Sequence, residues 1–135
     1  MAKLNVEIIT PERRVAELAA DEVVAPAAEG LYGILPGHSP FLGLLSAGPL
    51  TVRSGGNTEA WFVSGGFVEV NVDRVRVLPD QVEPLAELDV EGAAARLGEA
   101  EQRLKALPAD AEGRPQAEAA VRRERARLHT ARTRR

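Results

Sequence analysis

The sequence predicts a mainly β protein with a helical extension: a β-sandwich or closed barrel over residues 1–86, then two α-helices over residues 87–135. Three observations predict it. Within the first 86 residues Val, Ile, Leu and Phe come in short runs separated by Gly, Pro, Asn and Asp. These runs recur at about ten-residue spacing, which suits a sandwich or barrel rather than alternating strands and helices. Beyond Glu87 the apolar residues recur instead at three- and four-residue steps, the period of an amphipathic helix.

Leu4–Ile9 opens the β region by setting Leu, Val and Ile against Asn5 and Glu7. Further strands are expected at Arg14–Leu18, Glu22–Ala25, Leu50–Arg53, Glu59–Ser64, Phe67–Val72 and Arg74–Leu78. Gly55-Gly56-Asn57 reads as a hairpin turn and Asn71–Arg74 as a tight turn. Phe67–Val72 alternates cleanly, as a strand does when one face packs and the other meets water. Between Ala25 and Leu42 the density of Gly and Pro predicts a compact loop that aims Leu31, Tyr32, Ile34 and Phe41 in fixed directions. Those groups either cap one end of the β body or form a docking patch.

Asp89 is placed as an N-cap, with Glu91 in the first helical turn where the dipole favours a carboxylate. Ala93, Leu97, Ala100, Leu104 and Leu107 then form one stripe, broken at Pro108-Ala109-Asp110. Gly113 and Pro115 restart a second helix with a thinner stripe of Ala117, Ala120, Val121 and Leu128. Facing stripes give an antiparallel hairpin. Its alanine-rich contacts bury little area at roughly 25 cal/mol per Å², and Gly98 costs about 1 kcal/mol relative to alanine. Such a hairpin is expected to detach and extend at modest cost.

A chain of 135 residues without cysteine can fold on a hydrophobic core alone, and its composition suits a reducing compartment. Met1–Glu7 does not resemble a signal peptide, and no run approaches the roughly 20 apolar residues of a membrane span. The net charge of −3 conceals an asymmetry, because residues 121–135 hold seven arginines against Glu124 alone. That tail, from Arg122 to Arg135, fits an acidic protein surface. Nucleic acid is not expected: the remainder is acidic, and Trp61 and Tyr32 have no basic residues interleaved for base stacking. The two histidines, His38 and His129, frame no nucleophile or metal motif. Gly55-Gly56 and Gly65-Gly66 lead into no helix and precede no Lys-Ser/Thr, so they read as turns rather than phosphate cradles. No catalytic residue and no metal ligand is nominated.

Four ordered motifs then stand out: Val6-Glu7-Ile8-Ile9-Thr10-Pro11-Glu12-Arg13, Glu29-Gly30 through Gly33-Ile34-Leu35-Pro36-Gly37-His38-Ser39-Pro40, Ser64-Gly65-Gly66-Phe67-Val68-Glu69-Val70, and Val75-Arg76-Val77-Leu78. With the helical hairpin behind them, they resemble the epsilon subunit of bacterial rotary ATP synthases over essentially the whole chain. The resemblance implies a flattened β-sandwich, residues 1–86, docked on the gamma subunit and the polar loops of the membrane rotor ring. Glu29, Leu31, Tyr32, Ile34, His38, Phe41 and Leu42 would face ring and gamma; many relatives carry an acidic residue where Leu31 stands. It also implies a regulatory hairpin, residues 87–135, that extends toward the catalytic alpha/beta head and inhibits hydrolysis. Arg122, Arg123, Arg125 and Arg127 would meet an acidic segment there. The chain itself would be no enzyme, and would sit peripherally on the cytoplasmic face of the bacterial inner membrane.

Some members of that family bind ATP on the folded hairpin through Ile/Leu-Asp-x-x-Arg-Ala. The matching stretch here is Leu88-Asp89-Val90-Glu91-Gly92-Ala93, with glycine in place of the arginine. By this resemblance Asp89, Ala93, Arg123 and Arg127 are the candidate nucleotide contacts, and Gly92 offers no charge to a phosphate. No other cofactor is expected. The alternative function is a freestanding β-sandwich module that senses a nucleotide or other ligand.

Overall fold

The computed structural model describes residues 3–134, which divide into two compact units, Met1–Ala86 and Glu87–Arg135. Arg135, part of the arginine tail read from sequence, lies outside the described residues.

The first unit is a β-sandwich of ten strands. In order they are β1 (Leu4–Ile9), β2 (Arg14–Ala20), β3 (Glu22–Ala27), β4 (Gly30–Ile34), β5 (Phe41–Leu44), β6 (Gly48–Ser54), β7 (Asn57–Ser64), β8 (Phe67–Asn71), β9 (Arg74–Leu78) and β10 (Gln81–Pro84). One sheet runs β2-β1-β9-β8-β5 and the other β10-β7-β6-β3-β4. All pairings are antiparallel except β1 with β9.

Period-two alternation supplies the core. Leu4, Val6 and Ile8 of β1, Val68 and Val70 of β8, and Val75 and Val77 of β9 face inward from one sheet. Val23, Ala25, Ile34, Leu50, Val52 and Val63 meet them from the other. Glu7 is also buried, on the opposite side of β1, where Arg14 and Arg76 reach its carboxylate at 3.4 Å each. Burying the carboxylate between two guanidiniums is what makes it tolerable.

The expected loop between Ala25 and Leu42 is corrected. It contains all of β4 and the first residues of β5. Gly30 (φ +126°) and Gly37 (φ +87°) serve the turns flanking β4, and the Gly-Pro punctuation concealed a short strand between them. β10 had no sequence signal either, being a four-residue edge strand that ends in proline. The Gly55-Gly56 hairpin is present, with Arg53 pairing Thr58 and Ser54 pairing Asn57. So is the turn at Asn71–Arg74, where Val72 takes φ +57° and Asp73 accepts the Gly37 N–H at 3.1 Å.

Asp21 stands where the chain crosses from one sheet to the other, between β2 and β3. Its carboxylate accepts from the Lys3 ammonium and from the Gly55 N–H, which together hold its pKa below the ordinary carboxylate value. The β7–β8 crossing is tighter. Gly66 has φ +90°, and a Cβ there would lie 2.0 Å from the Leu78 carbonyl oxygen and 2.8 Å from the Pro79 Cα. No side chain fits at Gly66, where the β7–β8 crossing meets the β9–β10 crossing at Leu78-Pro79.

The second unit holds α1 (Val90–Lys105) and α2 (Arg114–Thr133), entered by a 3₁₀ turn at Leu85–Glu87 that straddles the unit boundary. Asp89 caps α1 as expected, accepting the Gly92 N–H at 2.9 Å. The turn at Pro108 ends in Gly113, and Pro115 occupies the first turn of α2. Ala93 and Ala100 are the buried residues of α1, while Leu97, Leu104 and Leu107 are half-buried. The helices run antiparallel: Arg134 donates to the Leu88 carbonyl at one end, and Arg125 pairs with Glu101 at 3.7 Å farther along.

Gly66→Ala is expected to destabilise the sandwich by about 3 kcal/mol, the upper range for one substitution, because the obstacle is backbone rather than a movable side chain. Urea unfolding followed by Trp61 fluorescence reads this; a loss below about 1 kcal/mol would mean the crossing relaxes freely.

Candidate docking edge and regulatory hairpin

Four strands end the two sheets: β2 and β10, and β5 and β4. β4 pairs only with β3 and β5 only with β8, and these two edges lie beside each other. Between them opens a cleft of about 630 Å³, lined by both strands, the Ala27–Glu29 turn and Leu45-Ser46. Tyr32 of β4 and Phe41 of β5 form its floor as an edge-to-face pair, with ring centroids 5.6 Å apart at 82°. The His38 ring also lies near Phe41, with centroids 5.5 Å apart, and its Nδ1 lies 2.7 Å from the Ser39 carbonyl. Gly43 completes the arrangement, since a Cβ there would meet the Phe41 ring at 2.7 Å.

The Tyr32 hydroxyl is buried at this floor without a hydrogen-bond partner. Burial also raises its pKa above the usual phenol value. An unpaired buried hydroxyl is disfavoured by about 1–3 kcal/mol.

Register extends the apolar surface onto the outer face of the β5 sheet. Leu44 lies opposite Phe67, and Leu42 opposite Glu69. Leu42 is 66% exposed, Leu44 71% and Phe67 47%, with Leu31 at 59% on β4. Large apolar side chains gathered at a sheet edge mark an interaction surface. Of the residues read from sequence, Leu31, Tyr32, Phe41 and Leu42 meet at this edge, Glu29 is exposed in the turn beside it and His38 is half-buried behind it. Ile34 is fully buried in the core. Leu44, Phe67 and Gly43 were not singled out from sequence; the β5–β8 pairing is what assembles them.

On the hairpin, Arg122, Arg123, Arg125 and Arg127 do not share one exposed face. Arg122 and Arg125 point to solvent, as do His129 and Arg132 at matching helical spacing. Arg123 is half-buried and Arg127 is only 6% exposed. Both donate through Nε to Glu124, at 2.9 and 2.8 Å, and Glu124 is itself 6% exposed. Burial lowers the Arg127 pKa. Asp89 caps α1 instead of reaching toward these arginines, and Ala93 is buried. Among the described residues no group of three or more His, Cys, Asp or Glu side chains is placed to hold a metal, and no helix is long and apolar enough to cross a membrane.

Comparison with known proteins accords with this architecture. The model of the ATP synthase delta/epsilon chain β-sandwich domain matches residues 3–85. The ATP synthase epsilon chain of Myxococcus xanthus is 48% identical over 133 residues, 98% of each chain. This chain belongs to the ATP synthase epsilon family. The epsilon chain of Solibacter usitatus is 47% identical over 95% of each chain. Among solved structures, a chain of the Euglena gracilis mitochondrial ATP synthase, determined as an OSCP/F1/c-ring assembly, superposes with a TM-score of 0.79 at 26% identity, covering 93% of this chain and 79% of that one. A chain of the Tetrahymena thermophila central stalk and c-ring shares the fold at a TM-score of 0.69 and 20% identity.

Tyr32→Phe removes the unpaired hydroxyl and leaves the aromatic pair. The isolated chain is expected to gain about 1 kcal/mol in urea unfolding. A loss of stability would show that the hydroxyl is already satisfied.

Proposed function

We propose that this epsilon chain is a non-catalytic rotor part with two separable tasks. The sandwich joins the gamma subunit to the polar loops of the membrane rotor ring and so carries torque; the hairpin restrains ATP hydrolysis. The observation carrying the first task is the open β4/β5 edge, where exposed Leu31, Leu42 and Leu44 flank an unpartnered Tyr32 hydroxyl. An extended segment of gamma laid along either edge strand would pair its backbone and cover exposed leucines. The inter-sheet core gives this edge the stiffness that torque transmission demands. Lying on the rotor ring, the chain works peripherally on the cytoplasmic face of the bacterial inner membrane.

The second task rests on composition and exposure. The buried apolar residues of the second unit are Leu88, Ala93, Ala100, Val121, Leu128 and Ala131, half of them alanine, so separating the two helices exposes little apolar surface. The exposed arginines, Arg122, Arg125 and Arg132, then form the basic stripe available to an acidic segment of the catalytic alpha/beta head. Single exposed pairs contribute about 0–1 kcal/mol each, so the stripe acts collectively.

The test is hydrolysis by a catalytic core stripped of its own epsilon. Adding the full chain is expected to lower the rate at least about fivefold, the size of a typical coupling free energy. A chain ending at Glu87 should bind equally and leave the rate unchanged. Equal inhibition by both forms would remove the hairpin from regulation.

A further inference from the structure

Besides the exposed arginine stripe, two positively polarised places on the hairpin are filled by the chain's own carboxylates. At the α1 N-terminus Asp89 accepts the Gly92 N–H. A Cβ at Gly92 would come within 2.9 Å of the Asp89 Oδ2, so the absent side chain leaves this cap undisturbed. On α2, Glu124 spans Arg123 and Arg127 with one carboxylate oxygen for each guanidinium. Glu124 and Arg127 are each more than nine-tenths buried, which strengthens these charge-assisted bonds relative to exposed ones.

We infer that Glu124 serves as a built-in counterion, occupying between Arg123 and Arg127 a site for phosphate-type anions, so that the folded hairpin neither needs nor gains from a bound nucleotide. The charge balance supports this. Two guanidiniums alone present two positive charges to a polyphosphate, whereas with Glu124 between them the group's net charge falls to one. The clamp also lies within α2, so it travels with that helix when the hairpin opens. Arg123 and Arg127 therefore stay occupied in either state, which leaves Arg122, Arg125 and Arg132 as the contact stripe.

Two variants of the full chain test the inference, Glu124→Ala and Glu124→Gln, the second preserving side-chain shape. The helical far-UV signal is followed on heating, alone and with millimolar ATP or pyrophosphate. The wild-type midpoint should not move with either anion. Each variant should melt at least about 5 °C lower and recover part of the loss with pyrophosphate, as a ligand that binds only the folded state requires. A wild-type midpoint raised by ATP would show that the arginines are open to outside anions and would overturn the inference. Variants that fail to respond to either anion, or do not fold in their presence, would overturn it too, reducing Glu124 to a structural ion pair. Because the assay uses the chain alone, its failure is distinct from failure to dock on the stalk or to inhibit hydrolysis.

Discussion

Everything in the first unit depends on the packing of two twisted sheets through one layer of branched side chains. Val6, Ile8, Val68, Val70, Val75 and Val77 on one side and Val23, Ile34, Leu50, Val52 and Val63 on the other are essentially inaccessible to water. Branched side chains hold few rotamers, so the layer is stiff as well as apolar. To build it the chain crosses between sheets repeatedly, and the crossings are secured in different ways. Gly65 and Gly66 serve one; Asp21, tied to the Gly55 N–H, secures another.

The same construction leaves an edge open. A barrel would have closed β4 onto β5, and here an aromatic pair spans the gap instead. Natural proteins usually protect such edges with charge, proline or a covering segment. This one carries exposed leucines, which favour a partner over solvent. Rigidity and incompleteness thus come from one architecture, and the rotor role proposed for this chain requires both. The hairpin follows the opposite logic: its apolar contacts are small, and its buried charges are satisfied locally, within single helices or turns.

Much of this was legible from sequence where local pattern and global fold agree. Alternating valines disclosed β1, β8 and β9, and Asp89 was read as the α1 cap it proves to be. The strands β4 and β5 were hidden because Gly30, Gly33, Gly37 and Pro36 outweighed five- and four-residue runs whose identity as strands comes from pairing with β3 and β8. β10 was hidden for a related reason, since Gln81–Pro84 has no alternation and is a strand only because β7 offers it an edge. The arginine tail was visible as charge, but its division into a solvent stripe and a buried pair was not. Glu124, three residues before Arg127 and the sole acid among the arginines, was the available signal.

The most direct test of the open edge as the docking surface is gel filtration with a catalytic core lacking its own epsilon, comparing the wild-type chain with a Leu42→Asp, Leu44→Asp variant. Both leucines point to solvent, so the variant should keep its sandwich and its melting temperature. The account predicts that the wild type co-elutes with the core, one chain per gamma, while the variant elutes alone at low micromolar concentration. Co-elution of both with equal stoichiometry would contradict it and place the docking surface elsewhere on the sandwich.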